Sequence, residues 1–166
     1  MSAQLSNRVQ QIKPSPTLAI TSKAAELRAA GQDIIGLGAG EPDFDTPEHI
    51  KQAAVDALNA GKTKYTPVDG TPELKDAIIE KFRRDNNLTY ERNQILVSCG
   101  GKQSFFNLAL ALLNPGDEVI IPAPYWVSYP DMVKIAEGKP VILESSAETE
   151  FKVTPEQIRN AMTDRT

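Results

Sequence analysis

Residues 95–144 read ILVSCGGKQSFFNLALALLNPGDEVIIPAPYWVSYPDMVKIAEGKPVILE, and this stretch decides the fold class. Ile95–Cys99 is a short apolar run that predicts a strand. Gly100 and Gly101 then turn the chain, and apolar residues at helical spacing predict a helix from about Lys102 to Leu113. Asn114-Pro115-Gly116-Asp117 is a turn sequence, and Glu118–Pro122 predicts a second strand. A second helix is expected from about Ser128 to Glu137, closed by Gly138, with a third strand over Pro140–Glu144. Strand, helix, strand, helix, strand implies a parallel sheet with right-handed crossovers, hence an α/β domain.

Working outward, three helix starts share one signal. Thr46-Pro47-Glu48, Thr71-Pro72-Glu73 and Thr154-Pro155-Glu156 each offer a hydroxyl N-cap, a proline for the first helical position and an acid where the helix N-terminus favours negative charge. The first of these helices places Ile50, Ala53, Ala54, Ala57 and Leu58 at helical spacing and stops near Gly61. The second carries Leu74, Ala77, Ile78, Lys81 and Phe82 and ends around Asn86-Asn87. An earlier helix is predicted from about Thr17 to Ala30. Residues 1 to about 45 lie outside the strand–helix alternation and read as an arm. Three parallel strands leave an open sheet edge, and a parallel sheet needs both faces covered, so the chain is expected to be a piece of a larger domain.

Composition narrows the function. The 166 residues are 40% hydrophobic and 24% charged with net charge −4, which argues against a general affinity for nucleic acid or anionic membranes. The Arg83-Arg84 doublet reads as a solvated helix face. The single cysteine, Cys99, excludes an internal disulfide and fits a reducing compartment. The N-terminal sequence has no apolar core of a secretory signal, and no apolar run approaches the ~20 residues that span a bilayer. These features point to a cytoplasmic protein. His49 is the only histidine and has no second ligand at metal-binding spacing, so no metal is expected. For the same reason no Ser–His–acid arrangement can be built.

Four segments can carry chemistry. In Val97-Ser98-Cys99-Gly100-Gly101-Lys102-Gln103-Ser104 a strand ends, two glycines turn the chain and a helix begins. Backbone N–H groups at such a helix start suit a phosphate, though the same pattern also serves as a tight turn that binds nothing. Its spacing matches neither a Walker loop nor a GxGxxG fingerprint. Ala123–Pro130 follows the second strand and holds the only tryptophan, Trp126. An aromatic there can stack on a planar heterocycle, or simply pack against the sheet rim. Gly36–Phe44, with alternating glycines before Glu41-Pro42-Asp43, suits a loop whose backbone binds a carboxylate, or an ordinary surface loop. In Lys62–Gly70, the Tyr65 hydroxyl with basic neighbours can donate to a phosphate, or the segment is only a turn.

Taken together and in this order, GAGEPDFDTPEHI, GKTKYTPVDG, VSCGGKQ and PGDEVIIPAPYWVSYP resemble the class I aminotransferases of fold type I, which use pyridoxal phosphate. The resemblance runs from about Val9 to Thr166, and within the family the likeness is to bacterial aspartate aminotransferases, some of which also accept prephenate. It implies an incomplete three-layer α/β/α large domain with a mostly parallel sheet. Residues 46–166 would form that PLP-binding large domain, and residues 1–45 an N-terminal arm and small-domain segment. Gly101, Lys102 and Gln103 match the family's turn for the cofactor phosphate, and Trp126 the ring that stacks on the cofactor and contacts substrate. Gly40 matches a backbone contact to the substrate carboxylate. Tyr65 matches a tyrosine that reaches the partner subunit's cofactor phosphate in a homodimer. Lys13 and Lys102 lie where the subgroup has lysines tied to dicarboxylate or prephenate recognition.

The resemblance also implies what is missing. Transamination needs a lysine for the Schiff base and an acid on the pyridine nitrogen, and the family places both beyond the stretch matched here. None of the eleven lysines matches the Schiff-base position. The expectation is therefore an N-terminal portion, inactive alone, of a full-length enzyme that moves an amino group between an amino acid and a 2-oxo acid. The cofactor is expected in that parent and not on this chain alone. Two other readings stay open: a non-catalytic phosphate-ligand or interaction module, and a different fold type I enzyme.

Overall fold

The computed structural model describes residues 4–38 and 40–166. Among the described residues seven α-helices and two strands follow in order: α1 (Asn7–Gln10), α2 (Pro16–Ala29), α3 (Glu48–Asn59), α4 (Pro72–Asn86), α5 (Gly101–Leu112), β1 (Glu118–Pro122), α6 (Ser128–Ile135), β2 (Lys139–Leu143) and α7 (Pro155–Ala161). The chain divides into two compact units, Met1–Gly38 with Lys102–Thr166, and Ala39–Gly101.

The first unit is organised by a strand–helix–strand crossover. β1 and β2 pair in parallel, with Ile120 opposite Val141 and Ile121 opposite Ile142. Two parallel neighbours cannot be joined by a hairpin, so α6 carries the chain back and packs on both strands. Its apolar face supplies Val133, 0% exposed, and the other buried apolar residues are Ala136 at its end, Ile121 of β1 and Ala109 of α5. An edge-to-face pair, Phe105 on Tyr129 with ring centroids 5.0 Å apart, fastens α5 to α6.

The turn before β1 is built as its sequence predicts. Asp117 accepts from the Asn114 backbone N–H at 2.7 Å, and Gly116 takes φ +89°, a left-handed conformation that favours glycine. The hydrogen bond from Asn114 is the largest influence holding the Asp117 carboxyl below its ordinary pKa. The chain's last residues fold against the other edge of β1, where the Glu118 N–H donates to the Arg165 carbonyl at 2.8 Å.

The second unit holds α3 and α4. The Asp76–Arg92 ion pair and the edge-on rings of Phe82 and Tyr90, 5.5 Å apart, tie α4 to the 3-10 turn at Arg92–Gln94 and the residues before it. Asn87 ends α4 in the left-handed conformation at φ 54°. On α4, Arg83 pairs with Glu80 and Arg84 with Asp85, as a solvated face should.

Four local expectations need correction. Ile95–Cys99 is not a ladder strand. Ile95 is extended (φ −111°, ψ 126°), but the Val97 N–H is spent on the Asp69 carbonyl at 3.0 Å, so the apolar run has no strand neighbour. Thr46 does not cap α3. Pro47 keeps an extended ψ of 141° and is itself the cap, so the helix starts one residue later, whereas Thr71 and Thr154 do accept from Leu74 and Gln157 N–H groups. α2 starts at Pro16, capped by Ser15, a Ser-Pro form of the same signal. Finally, the left-handed residue after α6 is Glu137 (φ 65°), not Gly138. Gly138 is required for closeness: a Cβ there would lie 2.9 Å from Leu113 Cδ1 and 3.1 Å from Val133 Cγ1.

Candidate functional site

The glycine turn is formed by conformation and kept open by size. Gly100 takes φ +89°, and its N–H donates to the Ser98 carbonyl at 2.8 Å. A Cβ at Gly100 or Gly101 would meet nothing within 4 Å, so neither glycine is there for packing and the space beside the turn is clear. Gly101 is the first residue of α5, and α5 has no acidic residue in its first turn, so no carboxylate there answers the helix's positive end.

Trp126 follows β1 in a short segment held at both ends. Upstream, the Ala123 N–H donates to the Leu143 carbonyl at 2.8 Å and the Ser145 hydroxyl donates to the Ala123 carbonyl. Downstream, the Tyr129 N–H donates to the Trp126 carbonyl at 3.1 Å. The Trp126 ring is half exposed, and the Lys102 ammonium lies 4.8 Å from its centroid. Among the described ion pairs none involves Lys102, so its charge rests on the ring's negative face. That contact joins the two predicted features, the first turn of α5 and the loop leaving β1, in one place.

The remaining residues sit as follows. Gln103 is in the first turn of α5. Lys13 is exposed and lines a cavity of about 690 Å³ between residues 11–16 and α6, together with Ile12, Tyr125, Val127, Met132 and Lys134. Lys134 is paired with Asp131 at 3.3 Å. Tyr125, next to Trp126 in sequence, is the aromatic lining this cavity, and its sharing of a cavity with Lys13 leaves no mark on the sequence. In the other unit, Gly40 lies in an exposed stretch where a Cβ would meet nothing within 4 Å, and the Tyr65 side chain is fully exposed. Ala39, inside that glycine-rich loop, is outside the described residues. Among the described residues no cluster of acids, histidine and cysteine could hold a metal, and no helix is long and apolar enough to cross a membrane.

Comparison with known proteins decides the family. The sequence profile of aminotransferase class I and II matches residues 32–166. The chain belongs to this family. It is 66% identical over 163 residues to an aspartate/prephenate aminotransferase of Nitrosomonas europaea, covering 98% of this chain and 41% of that protein. An aspartate aminotransferase of Bacillus subtilis is 56% identical, with 98% of this chain and 42% of the relative covered. Among solved structures, the aspartate aminotransferase of Rhizobium meliloti superposes with TM-score 0.94 at 54% identity, over 99% of this chain and 41% of that one. The Thermus thermophilus aspartate aminotransferase with maleate gives TM-score 0.94 at 55% identity, over 99% and 43%. The chain thus spans about two fifths of the length of these aminotransferases, 41% of the first relative. Its architecture is a partial α/β domain of fold type I.

The class I aminotransferases depend in general on pyridoxal phosphate, and use amino acids and keto acids as substrates. The residues present suit that cofactor. A dianionic phosphate needs donors without a competing acid, which the first turn of α5 and Lys102 provide, and a flat pyridine ring needs an accessible aromatic face, which Trp126 provides.

Proposed function

We propose that this chain supplies the phosphate cradle and the stacking ring of a pyridoxal-phosphate-dependent aminotransferase. The enzyme moves an amino group between aspartate or glutamate and a 2-oxo acid, with prephenate among the candidates. The observation that carries the reading is the Lys102 ammonium over the Trp126 ring, beside the open Gly100-Gly101 turn. In the full-length enzyme, Gly101, Lys102 and Gln103 hold the phosphate, and Trp126 holds the ring and borders the substrate. Gly40 offers its backbone to the substrate carboxylate, and Lys13 and Lys102 favour a second carboxylate. Tyr65, with its side chain wholly in solvent, reaches the phosphate of the partner in a cytoplasmic homodimer. Residues 1–45 form the arm and small-domain segment, and residues 46–166 the incomplete large domain.

When bound, pyridoxal phosphate supplies the electron sink that makes the substrate Cα–H acidic. The chain's own residues do the positioning. The helix N-terminus and Lys102 would hold the phosphate end, and Trp126 would stack on the ring. Lys102, which lies over Trp126, would hold the phosphate, and Trp126 would offer its face to the ring. No proton-transfer residue is assigned within the 166 residues: none of the lysines matches the covalent position, so the chain alone is inactive.

The test is Lys102→Ala in the full-length enzyme that carries this segment. The Kd for pyridoxal phosphate should rise about tenfold, the scale of one charged hydrogen bond, while the Kd for pyridoxal, which lacks the phosphate, stays close to wild type. Equal weakening of both compounds would show that Lys102 does not act on the phosphate.

A further inference from the structure

The least exposed side chain of residues 40–101 is a lysine. Lys75, on the first turn of α4, is 6% exposed, and its ammonium donates to the Asp69 carboxylate. A buried ammonium needs a partner, because its desolvation is otherwise uncompensated. Asp69 is also held by its backbone, whose carbonyl accepts from the Val97 N–H at 3.0 Å. Gly70 presses on the same residue: a Cβ there would lie 2.5 Å from Val97 Cγ2, and its φ of +107° is a second reason for glycine. The Gly70 N–H closes a turn onto the Pro67 carbonyl at 3.1 Å.

Three ties therefore converge on one place: an ion pair, a backbone hydrogen bond and a glycine contact. On one side, four residues upstream of Asp69, is Tyr65. On the other, four residues downstream of Val97, is Gly101, where α5 begins. Tyr65 itself is fully exposed, so its direction is set by the anchored Pro67–Gly70 turn rather than by packing of its own ring. The Lys75 hydrogen bond also holds the Asp69 carboxyl below its ordinary pKa, in keeping with a carboxylate kept charged for this pairing.

We infer that Asp69 and Lys75 are positioning residues that fix the Tyr65 loop to the segment entering the phosphate turn. The inference rests on the proposed reading of Tyr65 and the turn as phosphate contacts. Neither side chain touches cofactor. They act through Tyr65, whose hydroxyl is useful only if the loop presents it at hydrogen-bond distance, and a displacement of 1 Å is enough to lose it.

The experiment compares the affinities of the full-length enzyme for pyridoxal phosphate and for pyridoxal. Asp69→Asn should lower the preference for the phosphorylated compound about fivefold, with pyridoxal affinity nearly unchanged, because the half-exposed carboxylate is partly screened and only one contact is displaced. Lys75→Met, which keeps the buried stem, should do the same, and Lys75→Arg should restore most of the preference. In a Tyr65→Phe background Asp69→Asn should change nothing further, since the two substitutions would remove one interaction. Additive losses in that double variant, or parallel loss of pyridoxal and pyridoxal phosphate, would overturn the positioning role and leave Asp69 a purely structural residue. If the unsubstituted enzyme shows no preference for the phosphorylated compound, the functional reading fails with it, which separates the two failures.

Discussion

The two compact units bury different things. In the first, β1, α6 and β2 close around apolar side chains, with Val133 at the centre and Ile121 and Ala136 beside it. In residues 40–101 the single buried residue is Lys75, and Ile50, Val55 and Leu58 of the amphipathic α3 lie open. The crossover carries its own cover, because the helix that joins two parallel strands must lie on them. In the second unit the apolar face of α3 is exposed, and α4 half-buries Ile78, Ile79 and Phe82. Apolar packing therefore weighs more in the first unit, and hydrogen bonds, ion pairs and a turn weigh more in the second.

Core truncation should separate them most. Val133→Ala is expected to cost about 2–3 kcal/mol of the first unit's stability, from lost transfer energy and the cavity left among Gly138 and Leu113. Val55→Ala, on the open face of α3, should stay within about 0.5 kcal/mol. Hydrogen exchange of amides in 118–143 and 48–59 reads the two effects, and equal costs would erase the distinction.

Capping gives a middle-sized contrast. Thr154 accepts from the Gln157 N–H at 3.1 Å and forms a reciprocal capping box, so Thr154→Ala should cost about 1 kcal/mol in α7. Thr46→Ala should cost only a few tenths, because α3 has no side-chain cap. Local exchange in each first helical turn distinguishes them. A full cap penalty at Thr46 would show that the sequence signal outranks the observed helix start.

These two threonines show how far the sequence could be read. Helices α2 to α7, their approximate ends, the parallel pair and the turn at Asn114–Asp117 follow from local pattern, because capping hydroxyls, glycines and helical spacing act within a few residues; the short α1 is not among the helices expected. The glycine turn and the aromatic after β1 were legible for the same reason. What failed was whatever a distant neighbour decides. Ile95–Cys99 has a strand's composition, but a strand exists only beside another, and Val97 is bonded to Asp69 instead. Gly138 looked like the helix stop, yet Leu113 and Val133 demand it, and Glu137 takes the turn's left-handed angle. The Asp69–Lys75 pair spans a turn and a helix start and left no periodic trace.

Acid should produce the smallest separation. Asp69 and Asp76 both have folded pKa values lowered, first by hydrogen bonds from Lys75 and Arg92. Each therefore adds stability that is fully present above the ordinary carboxylate value of about 4 and is lost as pH falls through the lower folded value. Between those values the unfolded segment takes up the proton first, so acid favours opening. The pKa values of Asp117 and Glu118 at the start of β1 are lowered in the same direction, so exchange in 65–92 and in 119–121, corrected for its intrinsic pH dependence, should accelerate in both below about pH 4, and more in 65–92 because 119–121 is also held by apolar packing. The difference would be reversed if packing, rather than charge, held the second unit.

Under the proposed function, these 166 residues would hold the cofactor's phosphate end and ring but not its covalent anchor. Incubating the chain with pyridoxal phosphate, reducing with borohydride and mapping the modified lysines by mass spectrometry tests it most directly. The account predicts scattered, substoichiometric modification and no amino transfer from aspartate. A single lysine modified to completion, together with measurable amino transfer from aspartate, would contradict it.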